Sequence, residues 1–206
     1  MGEIVADGLW RDIRSKEAPR SRPALFLDRD GTLIELVPYL SDPAGVALIA
    51  GGVRSARAAN EAGWALIIVT NQSGVGRGLY RWEDVDAVQA RLYEMLAQAG
   101  VRIDAAYAAG HAPRDAGGPA RSAWRKPAPG MFFRARDDLG IDLAASAICG
   151  DGAHDLAAGK AAGLRRGWLA SAGYGLKAEE QRKAQALADG EFTVSAGFPL
   201  AFGADG

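Results

Sequence analysis

The sequence predicts an α/β fold, a doubly wound parallel sheet with helices on both faces, and three observations carry that expectation. Short apolar runs recur, each ending in polar or acidic residues: Ala24 to Leu27 before Asp28, Trp64 to Val69 before Thr70 and Asn71, and Ala147 to Gly150 before Asp151. Runs of this length without in/out alternation read as strands buried on both faces. Between them lie apolar residues at helical spacing, as in Val85, Val88, Leu92, Met95 and Leu96. Strand, helix and strand in that order need a crossover, and a crossover makes the pairing parallel.

The elements follow in order. Residues 1–23 read as an N-terminal arm, amphipathic through Ile4, Leu9, Trp10 and Ile13 and closed by Pro19 and Pro23. It is expected to pack Trp10 on the domain and to carry no chemistry. Residues 24–206 read as one domain, long enough to bury a core of its own. The first strand runs into a loop punctuated by Pro38, Pro43, Gly45, Gly51 and Gly52. A helix is expected from Val53 to Ala62, closed by Gly63. The glycine-rich SGVGRG at 73–78 lacks both the GK[ST] ending of a Walker loop and the GxGxxG spacing, so it is not read as a nucleotide site. A core-facing helix follows from Trp82 to Gln98, then a third strand around Tyr107. The loop from Gly110 to Arg125 is long, and long loops in compact domains are often functional. A helix at 130–139, a fourth strand at 147–150, a helix carrying Asp155, a fifth strand at 167–170, a helix at 178–188 and a strand at 192–194 complete the series.

Composition narrows the function classes. A formal net charge of −1 over 206 residues gives no general electrostatic case for nucleic acid or an anionic membrane. No apolar stretch is long enough to span a bilayer, and the N-terminus lacks the order of a secretory signal. The expectation is a cytoplasmic monomer. The one cysteine, Cys149, excludes an internal disulfide or a cysteine-rich zinc site, and its apolar neighbours suggest an inert thiol.

The chemistry gathers at the strand ends, which in open α/β sheets line one crevice. Asp28 and Asp30, two apart in an extended chain, point the same way. Adjacent acids need a cation to offset their repulsion, and magnesium is one that also suits phosphate. With Thr70, Asn71, Arg125, Lys126, Asp151 and Asp155 at the other ends, the inventory fits metal-assisted phosphoryl transfer.

Four stretches, FLDRDGTL, TNQSGVGRG, RKPAPGM and GDGAHDLAAG, resemble in order the four motifs of the haloacid dehalogenase superfamily. The branch they resemble is that of histidinol-phosphate and heptose-bisphosphate phosphatases, and the match covers roughly Ala24 to Leu169. The resemblance implies that Asp28 is the nucleophile and Asp30 the general acid and base. It implies that magnesium is held by Asp28, the Asp30 backbone carbonyl and Asp151, and that Thr70 and Lys126 hold the phosphoryl oxygens. Arg29, Tyr39, Asn71, Gln72, Ser73, Arg77 and Arg125 would touch the substrate. That substrate would be a small phosphorylated sugar, most like D-glycero-D-manno-heptose 1,7-bisphosphate. The alternatives are histidinol phosphate, a broad range of small phosphate esters, or a phosphate-binding domain without turnover.

The chain also departs from the family pattern. Relatives carry a zinc loop with a CxH and a CxC pair before RKP; here those positions read Ala109-Gly110-His111 and Ser122-Ala123-Trp124. Zinc is therefore not expected, Trp124 is expected to pack the loop instead, and His111 is either a loop histidine or a substrate contact. Ile34 and Gly152 also differ from common family residues, on the substrate side. No large insertion follows the first motif or the third strand, so a capless, open site is expected.

Overall fold

The computed structural model describes residues 2–15 and 21–202; Pro19 and the last four residues lie outside that set. Its strands are β1 (Glu3–Ala6), β2 (Leu9–Ile13), β3 (Ala24–Leu27), β4 (Ala65–Asn71), β5 (Ala105–Ala109), β6 (Ala147–Gly150), β7 (Arg166–Leu169) and β8 (Thr193–Ala196). The helices are α1 (Ala50–Glu61), the single turn α2 (Ser73–Gly76), α3 (Trp82–Gln98), α4 (Gly130–Leu139), α5 (Ala153–Ala161) and α6 (Ala178–Gln185). The strands make one sheet in the order β1-β2-β5-β4-β3-β6-β7-β8. From β5 to β8 every pairing is parallel.

The period-2 geometry of a strand divides each apolar run between two cores. Leu25, Leu27, Leu66, Ile68 and Cys149 join α1 and α3 on one face. Phe26, Ile67, Tyr107 and Ile148 join α4, α5 and α6 on the other. All four side chains of β3 are fully buried, which explains why the run shows no alternation. Phe26 and Phe132 meet with ring centroids 4.6 Å apart and pin α4 to the sheet. A buried aromatic of this kind contributes roughly 1.5–3 kcal/mol.

Two elements differ from expectation. Residues 3–13 are not an arm laid on the domain but a hairpin built into its sheet. β1 pairs antiparallel with β2, and β2 pairs antiparallel with β5 from Leu9↔Ala109 to Ile13↔Ala105. Trp10 is buried as expected, but as part of a strand covered on both sides, with Leu9 entering the opposite core. Helix α1 begins at Ala50, with Gly51 and Gly52 already helical.

The chain steps from β3 to β4 and β5 on one side, then returns to β6 on the other side of β3. That reversal opens a crevice at the carboxyl ends of β3 and β6. The register places Leu27 level with Ile68 and with Cys149, so Asp28 leaves the end of β3 level with Val69 and Gly150. The two long connections over this edge, 28–49 and 110–129, carry only a 3-10 turn each, so no cap domain stands over it.

Candidate active site

Asp28 is fixed as the sheet's last rung, its N–H donating to Cys149 O at 3.0 Å. The chain then turns tightly, with the amides of Leu33 and Ile34 both donating to Arg29 O at 3.0 Å. Gly31 makes the turn possible. Its φ is +83°, and a Cβ there would stand 2.1 Å from Asp151 Oδ2. A side chain at this position would push the first acid loop off the second.

Lys126 lies under the acids and is almost wholly buried. Its ammonium sits 2.6 Å from Asp28 Oδ1 and 2.6 Å from Asp155 Oδ1, and donates to Val69 O at 2.6 Å. Asn71 holds the backbone of Lys126 from both sides: its Oδ1 accepts from Lys126 N at 3.0 Å and its Nδ2 donates to Lys126 O at 3.1 Å. Sequence reasoning expected Asn71 on the substrate, but its amide is engaged in placing the lysine.

Asp28, Asp151 and Asp155 offer carboxylate oxygens within 4.8 Å of one another, all buried. Burial pushes Asp28 well above the ordinary carboxylate range; Lys126 opposes the shift while the neighbouring acids add to it. Burial and then Asp155 push Asp151 up to about 7. For Asp155 burial also acts upward, but His154, Lys126 and the Gly152 N–H together hold it below its ordinary value. One ammonium among three buried acids leaves Asp28 and Asp151 short of positive charge. Hard oxygen donors in that state fit a divalent cation such as magnesium. Asp28 and Asp151 would hold it, with Asp155 retained by Lys126.

Asp30 faces the cleft on the other side. Its Oδ2 accepts from Arg29 Nε at 3.0 Å, Gln72 Nε2 at 2.9 Å and Thr70 Oγ1 at 3.4 Å; Oδ1 accepts from Arg29 Nη2 at 3.2 Å. Gln72 is fixed in turn by Tyr80, whose hydroxyl donates to Gln72 Oε1 at 2.7 Å. Arg29 is 1% exposed and Gln72 3%. Both were expected to touch substrate; in this structure both brace Asp30.

The cleft above these groups measures about 310 Å³. Of the residues singled out from sequence, Asp28, Arg29, Asp30, Tyr39, Thr70, Asn71, Gln72, Ser73, Arg125 and Asp151 border it. Arg77 stands beside that border rather than on it, its guanidinium 5.9 Å from the centroid of the Tyr39 ring. Burial first, and then Arg77, lower the pKa of Arg125. Neither guanidinium has a carboxylate within ion-pair distance among the described residues, so this end of the cleft favours an anion. His154 and Tyr174 also border the cleft and were not foreseen. Tyr174 sits in a turn far along the chain, and its N–H donates to Asp151 Oδ2 at 2.8 Å. Only tertiary structure brings it here. Trp124 is half-buried and packs against the α4-side core, as expected of a residue holding this loop.

A family model described as HAD-hydrolase-like matches residues 123–190. A D-glycero-β-D-manno-heptose-1,7-bisphosphate 7-phosphatase of Mesorhizobium japonicum is 41% identical over 171 residues, covering 81% of this chain and 78% of the relative. The chain belongs to the HAD-like phosphatases. The enzyme of the same name from Yersinia pestis is 35% identical over 167 residues, covering 80% of this chain and 89% of its own. Among solved structures, a HAD-like phosphatase of Mesorhizobium loti superposes with a TM-score of 0.78 at 38% identity, covering 82% of this phosphatase and 83% of that chain. A D,D-heptose 1,7-bisphosphate phosphatase of B. bronchiseptica, complexed with magnesium and phosphate, gives 0.70 at 29% identity, covering 84% and 92%. HAD-like phosphatases generally use magnesium, and the paired acids of this phosphatase suit that ion. No helix among its described residues is long and apolar enough to cross a membrane.

Proposed function

We propose that this phosphatase hydrolyses a phosphate ester of a phosphorylated sugar, with D-glycero-D-manno-heptose 1,7-bisphosphate as the leading substrate. The observation that carries the reading is the division of the cleft. Its floor holds Lys126 and the acids that would bind a divalent cation, and its rim holds Arg125 with Arg77 beside it, so with that cation bound a molecule with a phosphate at each end meets positive charge at both. The relatives from Mesorhizobium japonicum, Yersinia pestis and B. bronchiseptica act on such a bisphosphate by name.

In the proposed reaction a carboxylate oxygen of Asp28 attacks phosphorus, and the bond from phosphorus to the sugar oxygen breaks. Asp30, protonated for this step, gives its proton to that departing oxygen. Water then attacks the phosphorus of the aspartyl-phosphate, Asp30 takes the water's proton, and the Asp28 carboxylate leaves with inorganic phosphate released. Lys126, beneath Asp28, and Thr70 would supply positive charge and a hydrogen bond towards the transferring phosphoryl oxygens, which stabilises the transition state. Magnesium bound by Asp28, the Asp30 carbonyl and Asp151 would supply further positive charge to those oxygens. Ser73 and Tyr39 line the path to the rim. We propose that the protein works as a monomer in the cytoplasm and needs no zinc; stoichiometric zinc in the purified protein would contradict the last point.

The test is phosphate release, with magnesium or with EDTA, from both anomers of the heptose bisphosphate, from histidinol phosphate and from common sugar monophosphates. Selectivity for the heptose bisphosphate is expected. Broad, weak activity across all esters would overturn the substrate assignment and leave the chemistry standing. Asp28→Asn is expected to fold normally and to lose at least about a thousandfold in turnover, because the attacking group is gone. An active Asp28→Asn variant would end the mechanism.

A further inference from the structure

The turn of the N-terminal hairpin lies against the loop that carries Arg125. Gly110 N donates to Gly8 O at 2.8 Å, which fastens the start of the loop to the turn between β1 and β2. Gly8 has φ +68°, and a Cβ on it would meet His111 Nε2 at 2.3 Å, so the imidazole rests on the bare backbone of the turn. His111 Nε2 lies 3.3 Å from Asp7 Oδ2, and His111 Nδ1 lies 2.9 Å from Ser122 Oγ, eleven residues further along the loop. Ser122 Oγ accepts from the backbone N–H of Trp124 at 3.3 Å and of Arg125 at 3.1 Å. Arg125 Nη1 in turn donates to His111 O at 3.4 Å.

Hydrogen-bond accounting orders this set. Two amides already fill the acceptor positions of the Ser122 hydroxyl, so its own proton goes to His111 Nδ1. The ring proton is then on Nε2, facing Asp7. The result is a directed chain: the Arg125 amide to Ser122, Ser122 to His111, and His111 to the hairpin turn. It joins the two ends of the 110–125 loop at the residue whose guanidinium borders the cleft.

We propose that His111 and Ser122 form a latch, seated on the hairpin turn, that positions Arg125 for the distal end of the substrate. Neither side chain touches the reacting phosphoryl group; both act through Arg125. The latch rests on the proposed function only in needing a substrate that extends to Arg125.

The experiment compares kcat/KM for the best sugar phosphate with kcat/KM for p-nitrophenyl phosphate, which carries no second phosphate or sugar for Arg125 to hold. Ser122→Ala and His111→Ala are expected to lower that ratio about tenfold, mainly through KM, while p-nitrophenyl phosphate turnover stays unchanged. Ser122→Thr, which keeps the hydroxyl, should retain the ratio. In an Arg125→Ala background, Ser122→Ala should add no further loss, since residues acting through one group are not additive. Amide hydrogen exchange gives a readout independent of turnover: the Arg125 amide should exchange faster in Ser122→Ala while the β4 and β5 amides do not. An unchanged ratio, a fully additive double variant, or an Arg125 amide as protected as in wild type would each overturn the latch. If the heptose bisphosphate is not the best substrate, the substrate assignment fails, and the ratio measured on the ester that is best still decides the latch.

Discussion

Replacing Lys126 by methionine keeps most of the side chain's apolar stem and removes the ammonium shared by Asp28, Asp155 and the Val69 carbonyl. All three contacts are 2.6 Å, and the lysine side chain has no exposure to water. The acids left behind are buried and mutually repulsive, and burial keeps solvent from replacing the ammonium. Breaking a buried pair in this way costs about 3–5 kcal/mol, a large part of the roughly 5–15 kcal/mol that holds a domain folded. With a urea slope of about 2 kcal/mol per molar, the unfolding midpoint in EDTA should fall by about 2 M. Lys183 provides the contrast. Its ammonium is 2.7 Å from Glu179, almost the same distance, but both groups are exposed and free to exchange the contact for water. Lys183→Met should leave the midpoint where it is. Added magnesium should return part of the Lys126→Met loss, because a cation bound only by the folded acids stabilises by mass action. If Lys126→Met unfolds at the same urea concentration as Lys183→Met, burial is not what makes the lysine matter, and the electrostatic account of the site fails.

Other perturbations test separate links. Gly31→Ala puts a methyl group where Asp151 Oδ2 stands and forces an unfavourable φ, so it should cost about 1–3 kcal/mol in urea unfolding and lower magnesium-dependent turnover. Phe132→Ala removes the partner of Phe26 and leaves a cavity under α4, for an expected loss of about 3–5 kcal/mol. Burial opposes the charge on Asp104, but the Leu66 N–H, Arg22 and Arg102 outweigh it and hold its carboxyl below the ordinary 3.8. Folding therefore favours the ionised form. The contribution is full above the ordinary carboxylate value and is lost as pH falls through the native one. Acid titration of stability should be shallower in Asp104→Asn than in wild type.

The parts of this molecule written in local pattern were legible from sequence. Ala24 to Leu27 is apolar on both faces because helices cover both faces, and the acids at its end mark the switch point of the sheet. The stripe on α3 and the αL Gly63 that closes α1 belong to the same class of signal. Partnerships across the fold were not legible. Leu9 and Trp10, adjacent and both apolar, suit a strand covered on both sides, yet with Ile4 and Ile13 they also suit one face of an amphipathic segment; pairing with β5 decides between them. Arg29, Asn71 and Gln72 carry the groups that bind ligands, but the same groups satisfy buried neighbours. Which they do depends on Asp30 and Lys126, the latter about 55 residues away from Asn71. Asp155 was visible as an acid at a helix start, and its partnership with Lys126 became visible only with distance.

The hairpin that closes the β5 edge also sets an order of events during synthesis. β2 leaves the ribosome roughly 90 residues before β5, the strand it pairs with. At about 5–20 residues per second, that interval lasts on the order of 5–20 s. Throughout it, Leu9 and Trp10 have no core to enter, and only β1 is at hand to pair with β2. The hairpin thus takes its final place only after β5 has emerged, and until the two pair the all-alanine-and-tyrosine strand Ala105–Ala109 has no cover on that edge.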